Sequence, residues 1–490
     1  MKQNVKYFLT LSLAAVCFAS CKTDNAETPT AKTAELQEQT LVSVLSEESY
    51  TPQQFVDALG APTITLIMKY LYSEFPAISK ALDGLQVMSR LPELDRMFAK
   101  EVGTGPAGAR QWELQSYTFS YRSWTVDGRE IVMSGRVTFP NNKVEGIDHQ
   151  VKTLSIHSHQ ALLGPDFAPS VSLMFMPMRA LWNSAVIEPD YQQYGINYGN
   201  EYCGYGSPDV LARQLADCTT AALEVMRMHG VTLAPDGYTT NWGNSQGGWA
   251  TISFARYYET EAPEWFRNAL RLRSTFTGEG PCDIPAFLMN YACSHPELLP
   301  TELSLLVGYF SAFSPEQLGG YSPEDFVAPW LNVKEYQIAD GRKISLLQAI
   351  SMEIRDFDPN FYELNDLQQA FAPDMFHPDG RFNTDSPKYQ AWAQWLRKYN
   401  DFSGWTPEHP IYLAHCKQDR IIPYECVEML YNTLSDNGAN PDIHLANVPP
   451  VGKDDFGGFD AHFIIAFIMQ LQMACMKEPE DMMKIYTPVK

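Results

Sequence analysis

A short run in the middle of the chain carries residue types that could perform nucleophilic chemistry. It reads Gly243-Asn244-Ser245-Gln246-Gly247, a serine with a glycine two positions away on either side. In this G-x-S-x-G pattern a strand turns sharply into a helix and holds the serine at a strained backbone angle, so its neighbours must be small. We therefore predict that Ser245 is a nucleophile and that the backbone N–H of Gln246 is directed at a developing oxyanion.

Two residues near the C-terminal end could complete such a site, because a serine hydroxyl needs a histidine to take its proton and a carboxylate to orient that histidine. Asp419 lies in a loop between a predicted strand and a predicted helix, and His462 begins the last predicted helix. We predict Asp419 as the acid and His462 as the base. The alternatives are a helix-capping Asp419, with Asp454 or Asp455 as the acid, and a His462 without a role.

The elements around these residues alternate between strands and helices. Two strands, 115–125 and 129–139, flank Asp127-Gly128, which is a strong hairpin signal. Asp236-Gly237 is predicted to turn the chain into the strand before Ser245. Further strands are predicted at 151–156, 185–191, 270–276, 410–415 and 442–448, and helices at 248–258, 423–434, 462–476 and from Pro208 onward. Such alternation predicts an α/β fold with a mostly parallel sheet.

A change in this rhythm divides the chain into segments. Residues 284–399 are mostly helical in pattern and show no clear strand alternation, so we predict a helical cap inserted between the two core segments 109–283 and 400–490. Residues 51–108 are predicted to form an N-terminal helical segment, and residues 21–50 a flexible tether.

From about Gln115 to its end, the chain resembles an α/β-hydrolase serine esterase, and most closely the secretory-lipase-like group with a helical cap. The resemblance depends on the run around Ser245, on Val186-Ile187-Glu188-Pro189-Asp190-Tyr191, on Asp419 with Ile421-Ile422-Pro423, and on His462. It implies a central, mostly parallel sheet flanked by helices and a catalytic order of serine, acid and histidine.

One turn departs from the pattern of this group. The related enzymes carry a His-Gly-Thr-like turn after the strand equivalent to 151–156, and its backbone supplies the second oxyanion donor. The corresponding residues are His157-Ser158-His159-Gln160, without the glycine. We expect the second donor to come from His159, with Gln160 as the alternative. It is also possible to read these histidines as residues that only end the strand.

Composition excludes several classes of partner. The net charge of −22 argues against nucleic acid, which requires clustered basic residues, and against docking on anionic lipid through a basic face. The sequence has no metal-ligand spacing, phosphate-binding loop or nucleotide fingerprint. We therefore predict a small-molecule substrate, no cofactor and no metal.

The N-terminal residues resemble a targeting segment. Residues 1–20 contain a basic start and an apolar run, Tyr7 to Phe18, that is too short to span a bilayer. The run Val16-Cys17-Phe18-Ala19-Ser20-Cys21 resembles a bacterial lipobox, in which Cys21 becomes lipidated. We expect an extracytoplasmic protein held at the outer membrane only by this lipid. The alternative is an ordinary signal peptide cleaved near Ala19 or Ser20.

Tryptophans lie beside the serine and within the predicted cap. Trp242 and Trp249 flank the serine turn, and Trp392 and Trp395 share a helical face. They could form a platform for an acyl or sugar group, but large aromatic side chains are more often core residues, and we predict packing for each of them.

Together these features predict a serine carboxylic ester hydrolase that acts on a small ester: an acylated carbohydrate, a short-chain lipid or an aromatic ester. A serine peptidase of the dipeptidyl or prolyl type would use the same serine turn, but the chain lacks propeller-type repeats. The non-enzymatic alternative is a catalytically inactive binding lipoprotein with the same fold. The sequence does not predict an oligomeric state.

Overall fold

The structure is a computed structural model that describes most of the chain from residue 39 onward. The described residues are 39–51, 54–55, 112–125, 128–142, 149–161, 165–173, 177, 179–180, 183–202, 208–282, 318–338, 341–352, 371–379, 381–399, 401–419, 422–439, 442–448, 462, 465–466, 469–470, 473, 480, 483–484 and 486–489. The predicted signal peptide, Cys21, almost all of the N-terminal helical segment, and Asp454 and Asp455 lie outside these residues.

Strands account for the centre of the described fold. In chain order they are β1 Leu41–Tyr50, β2 Trp112–Trp124, β3 Glu130–Asn142, β4 His149–Ser158, β5 Ser184–Pro189, β6 Val231–Asn244, β7 Leu272–Gly278, β8 Glu335–Gln337, β9 Lys343–Ser345, β10 Ile411–His415, β11 Ile443–Asn447 and β12 Thr487–Pro488. Ten of them form one sheet in the order β1-β2-β3-β5-β4-β6-β7-β10-β11-β12, and β8 pairs with β9.

The middle of the large sheet is parallel. Neighbouring strands from β5 through β4, β6, β7 and β10 to β11 pair in parallel, whereas β1, β2, β3 and β12 pair antiparallel at the two sides. Every residue of β5 and of β10 is buried, as expected for parallel strands covered on both faces. The hairpin predicted around Asp127-Gly128 is confirmed by the continuous register between β2 and β3.

Helices cover the sheet and connect its parallel strands. They are α1 Pro208–Met228, α2 Gln246–Thr260, α3 Glu264–Leu270, α4 Pro323–Phe326, α5 Pro329–Val333, α6 Leu346–Ser351, α7 Pro387–Tyr399 and α8 Tyr424–Asp436. Residues 462, 465–466, 469–470 and 473 are also helical. Within the described part of the chain, no helix combines the length and the apolar character needed to cross a bilayer.

Two apolar cores form on opposite faces of the sheet. Along β10, Leu413 belongs to the core that includes α1 and α2, and its neighbours Tyr412 and Ala414 belong to the other core. Successive side chains of a strand point to opposite faces, so this alternation separates the two layers. Trp242 lies in the second core and Trp249 in the first, both fully buried.

The predicted tether is wrong at its C-terminal end. Leu41–Tyr50 forms β1, which pairs antiparallel with β2 from Leu41↔Tyr121 to Tyr50↔Leu114. Most residues of β1 are exposed, so the segment has a polar pattern although its backbone groups are paired. A strand without a buried face lacks the alternation of apolar and polar residues from which strands are predicted. Its conformation depends instead on the strand with which it pairs.

The predicted turn at Asp236-Gly237 is also wrong. Residues 231–244 form one long strand, β6, whose pairing with β4 jumps from Leu233↔Val151 to Tyr238↔Thr153. The intervening residues therefore form a bulge within the strand. A bulge keeps the strand continuous while its extra residues leave the pairing, so turn-forming residues are compatible with it.

The described residues of the predicted cap include helices, turns and short strands. Helices α4 to α7 lie in this segment, but so does the antiparallel hairpin of β8 and β9, which the sequence analysis did not predict. Each of these strands has only three residues, too few to produce a recognisable alternation. Trp392 and Trp395 on α7 are buried in the first apolar core, in agreement with the packing role predicted for them.

Candidate active site

Ser245 lies at the sharp turn where β6 ends and α2 begins. Its backbone has φ 55° and ψ −124°, a conformation that non-glycine residues rarely adopt. The N–H of Ser245 donates to Gly278 O at 2.8 Å, which ties the turn to the end of the neighbouring strand β7. The predicted strand–serine–helix arrangement is therefore present, and the surrounding structure maintains the strained serine.

The two flanking glycines are required by close backbone contacts. A Cβ atom on Gly247 would lie 1.9 Å from Ser158 O, and one on Gly243 would lie 2.4 Å from the same oxygen. Real Cβ atoms do not approach backbone oxygen so closely, so no other residue fits at either position without moving the backbone. The end of β4 thus lies directly against the serine turn.

The fold brings the three residues predicted for catalysis into one hydrogen-bonded chain. Ser245 Oγ donates to His462 Nε2 at 2.9 Å, and His462 Nδ1 donates to Asp419 Oδ2 at 2.7 Å. Asp419 and His462 are both buried. The arrangement places a proton acceptor on the serine hydroxyl and a carboxylate behind that acceptor, which is the geometry needed to activate a nucleophile.

The carboxylate of Asp419 receives further support from its own loop. Ile422 N donates to Asp419 Oδ1 at 2.9 Å, and His415 Nε2 lies 3.4 Å from Asp419 Oδ2 while it donates to Ile422 O at 2.7 Å. Burial by itself would raise the pKa of Asp419, but the interactions with His462 and His415 outweigh burial and lower this pKa to about 2. Asp419 is therefore an anion at neutral pH.

Glu279 is a second buried carboxyl group at this site, and the sequence analysis assigned it no role. Glu279 Oε2 lies 3.7 Å from His462 Nδ1. Burial, with a further contribution from the charge of Asp419, raises the pKa of Glu279 well above its ordinary value. The signal for it was an acidic residue directly after the end of a parallel strand, where functional side chains of such sheets gather.

The same three side chains also have the composition of a metal site. Glu279, Asp419 and His462 each offer one ligand atom, and these atoms lie within 4.8 Å of one another. A cation bound at His462 Nδ1 would displace the proton that this nitrogen donates to Asp419. The hydrogen bond from Ser245 to the opposite ring nitrogen fits an imidazole that moves protons.

Gln246 and His159, predicted as oxyanion donors, both lie beside the serine turn. Gln246 is the first residue of α2, where a backbone N–H has no acceptor within the helix. The peptide after Ser158 crosses the same turn, since a Cβ on Gly247 would lie 2.7 Å from His159 O. The roles of Gln246 and His159 as donors stay predictions.

The imidazole ring of His159 is engaged in contacts of its own, so a donor at this residue would be its backbone N–H. His159 Nδ1 donates to Gln160 O at 2.6 Å, and Tyr191 packs against the ring with 4.1 Å between centroids. Burial lowers the pKa of His159 to about 3, so the ring is neutral. Tyr191 also donates its hydroxyl to His159 O at 2.8 Å, which gives the Pro-Asp-Tyr run a structural role in fixing this segment.

A second buried histidine–carboxyl pair lies at the ends of β4 and β5. His157 Nδ1 is 3.2 Å from Glu188 Oε1, and the His157 ring packs against Trp242 with 4.2 Å between centroids. Burial raises the pKa of Glu188 to about 8 and lowers that of His157 to about 3. At neutral pH both groups are uncharged, and the protonated Glu188 donates to His157.

Comparison with known proteins identifies the architecture. No family model and no curated protein matches the chain. A solved structure from Legionella pneumophila, assigned as a hydrolase, has 19% identity, covers 77% of this chain and 94% of its own, and has a TM-score of 0.56. The rice cell wall degrading esterase LipA from Xanthomonas oryzae has 16% identity, covers 90% of this chain and 99% of its own, and has a TM-score of 0.55.

Similarity at these identities concerns the fold. TM-scores of 0.56 and 0.55 over most of both chains indicate a shared architecture. The chain has an α/β-hydrolase fold, with a mostly parallel central sheet flanked by helices.

Proposed function

We propose that this chain is a serine carboxylic ester hydrolase that acts through Ser245, His462 and Asp419. The observation that carries the proposal is the hydrogen-bonded chain from Ser245 Oγ through both nitrogens of His462 to Asp419. It occurs at a strained serine turn, and backbone strain of this kind is typical of functional sites.

In the proposed reaction, Ser245 Oγ attacks the acyl carbonyl while His462 Nε2 takes the serine proton. The N–H of Gln246 and a backbone donor at His159 hold the oxyanion. His462 then gives its proton to the departing alkoxide, which leaves as the alcohol. Water hydrolyses the acyl-enzyme by the same steps in reverse, and Asp419 balances the imidazolium throughout.

An ester is the proposed substrate because one structural relative is described as a cell wall degrading esterase. Acylated carbohydrates, short-chain lipids and aromatic esters are the classes to compare. A serine peptidase or a binding protein without activity would have the same fold, since one fold hosts many functions. The test must therefore distinguish them.

The first experiment replaces Ser245 with alanine. We expect Ser245→Ala to lower kcat/KM for a short p-nitrophenyl ester by at least about 10⁴-fold, because the nucleophile is lost. Ser253→Ala is the matched control: Ser253 is a buried serine on α2 whose hydroxyl donates to Trp249 O at 2.8 Å, remote in role from the proposed chemistry. The control should retain activity.

A fluorophosphonate probe and an aminoacyl amide complete the assignment. The probe should label wild type on Ser245 and leave Ser245→Ala unlabelled. Turnover of the amide in preference to all esters would favour a peptidase. The absence of both turnover and adduct in folded wild-type protein would contradict the proposal and favour a binding protein.

We also propose that Cys21 carries a lipid that holds the protein at the outer membrane. The lipobox-like run from Val16 to Cys21 supports this lipidation and localisation. Cys21→Ser should abolish incorporation of labelled palmitate and release the protein from the membrane fraction. Unchanged incorporation in that variant would contradict the proposal.

A further inference from the structure

The side chain of Glu279 reaches the same histidine nitrogen as Asp419. Glu279 follows β7 and Asp419 follows β10, and these two strands are parallel neighbours. Their carboxyl ends therefore meet at one edge of the sheet. His462 Nδ1 lies 2.7 Å from Asp419 Oδ2 and 3.7 Å from Glu279 Oε2, so a small movement would exchange one partner for the other.

The backbone holds Glu279 at this place firmly. Glu279 has a positive φ of 46°, and its N–H donates to Ala414 O at 2.9 Å, on the strand that leads to Asp419. The preceding residue, Gly278, accepts the hydrogen bond from Ser245 N. A Cβ on the following residue, Gly280, would lie 2.9 Å from Gly248 C. The elements that position Ser245 and Asp419 therefore also position Glu279.

Packing alone does not explain a carboxyl group at this position. Glu279 is fully buried, and among the described residues its carboxyl oxygens make no hydrogen bond to a side chain, although the backbone of Cys416 favours the charged form. A buried carboxyl group with so little support is costly, so its presence in a folded protein requires an explanation. Its carboxyl oxygen Oε2 lies 3.7 Å from Nδ1 of His462.

The charges around Glu279 determine its protonation state. The groups that act on it or are affected by it are Asp419, Cys416, His462 and Tyr486. Two buried carboxyl groups that share one site do not both ionise, so one of them retains a proton. Asp419 is the anion because it receives hydrogen bonds, and Glu279 retains the proton.

We propose that Glu279 is a second acid of this site: a positioning residue that stays protonated beside Asp419 and that orients and balances His462 when Asp419 is not available. The inference rests on the proposed function. When Asp419 is removed, Glu279 releases its proton to solvent, accepts the hydrogen bond from His462 Nδ1, and leaves Nε2 free to take the serine proton.

The experiment is a double-mutant cycle on hydrolysis of the p-nitrophenyl ester. Asp419→Ala is preferred to the amide, because an amide could donate to Nδ1 and stabilise the wrong tautomer, an effect that can cost about 10⁴-fold in kcat. We expect Asp419→Ala to lose only about 10²-fold, and Glu279→Gln to lose up to about fivefold, because the remaining acid serves in each case. The double variant should lose at least tenfold more than the product of the two single losses.

The pH profile provides a readout that a structural role would not change. Burial keeps the pKa of Glu279 raised even without Asp419, so the activity of Asp419→Ala should increase as the pH rises through this raised pKa and Glu279 ionises. That increase should disappear when Glu279→Gln is added. Asp419→Ala with Glu188→Gln is the matched control, since Glu188 is also a buried, protonated carboxyl but contacts His157.

Additive losses, or a flat pH profile in folded Asp419→Ala, would overturn the inference. If Asp419→Ala fails to fold, as judged by thermal unfolding, the same comparison uses Asp419→Ser with and without Glu279→Gln, because a serine hydroxyl can still accept a hydrogen bond from Nδ1. A wild-type enzyme without ester turnover would defeat the proposed function itself. An active wild type that depends on Ser245 but shows an additive cycle would defeat only the role of Glu279.

Discussion

Two buried histidine–carboxyl pairs at the edge of one sheet have opposite charge states. His462 and Asp419 form a 2.7 Å hydrogen bond in which the pKa of the carboxyl is lowered to about 2. His157 and Glu188 are 3.2 Å apart, and the pKa of that carboxyl is raised to about 8. Both pairs join a buried histidine to a buried carboxyl group, so burial by itself does not determine the charge.

The difference lies in the charges and hydrogen bonds that act on each carboxyl: after burial, which raises the pKa of Asp419, the charge of His462 lowers it most, followed by hydrogen bonds with His415 and His462. Asp419 accepts from Ile422 N as well as from His462, and His415 lies beside it. For Glu188, the hydrogen bond found among the described residues is the one to His157. Hydrogen bonds to an anion stabilise its charged form, whereas burial without them favours the neutral form.

The second difference lies on the far side of each imidazole. His462 Nε2 accepts a hydrogen bond from Ser245, whereas His157 Nε2 is buried and has no hydrogen-bond partner in the described part of the chain. An ionised carboxylate at Nδ1 of a histidine contributes to catalysis only where that histidine must take up a proton and become positively charged. The His157 pair is neutral and serves the packing of β4 and β5.

The largest effect on activity is expected when each of the two histidines is replaced in turn. We expect His462→Gln to lower kcat/KM by about 10⁴-fold or more, because the proton acceptor for Ser245 is lost. His157→Gln should change kcat/KM of the folded protein by less than about tenfold, because its ring is outside the proton path. Steady-state kinetics on the p-nitrophenyl ester checks both, and equal losses would invalidate the comparison.

A smaller effect is expected from the residue that supports Asp419. His415→Phe removes an imidazole that is buried beside the carboxylate and donates to Ile422 O. Asp419 then orients His462 less well, and kcat should fall by about three- to tenfold with little change in KM, since substrate contacts are retained. A change in KM alone would show that His415 shapes the substrate site instead.

The smallest expected effect is on the stability of the protein and arises from the neutral pair of His157 and Glu188. The folded-state pKa of Glu188, about 8, is above the ordinary carboxyl value of 4.5, so its contribution to stability is complete below about pH 4.5 and is lost as the pH rises towards 8. Glu188→Gln cannot ionise. Between pH 5 and pH 8, the free energy of unfolding of Glu188→Gln should therefore increase relative to that of wild type by about 3–4 kcal/mol, since one pKa unit corresponds to about 1.4 kcal/mol.

Urea unfolding of both proteins at several pH values measures this gain. Glu264→Gln is a suitable control, because Glu264 is exposed in the first turn of α3. A difference between Glu188→Gln and wild type that stays constant from pH 5 to pH 8 would show that Glu188 is already ionised in the folded protein.

Much of the fold could be predicted from local sequence. The β2–β3 hairpin was predictable from Asp127-Gly128 between alternating strands, and α1 from its apolar face. The edge strand β1 and the short β8–β9 hairpin were not, because an exposed or three-residue strand lacks a pattern of its own. The bulge in β6 was mistaken for a turn because both use the same residue types.

For the site, the sequence by itself determined the turn at Ser245 and the need for Gly243 and Gly247, whereas Asp419 and His462 were predicted from their places in the order of strands and helices. The reason is that a strained turn and its neighbours are encoded within five consecutive residues. These local rules required no knowledge of the residues that pack against the turn.

Only the tertiary structure decided which buried carboxyl groups are charged and which residues surround His462. Glu279 and His415 join the site because β7 and β10 are neighbours in the sheet, not because of their own sequence context. Protonation states depend on hydrogen bonds and burial supplied by residues distant in the chain. The same glutamate or histidine can therefore be an anion, a neutral donor or a base, according to the contacts that folding provides.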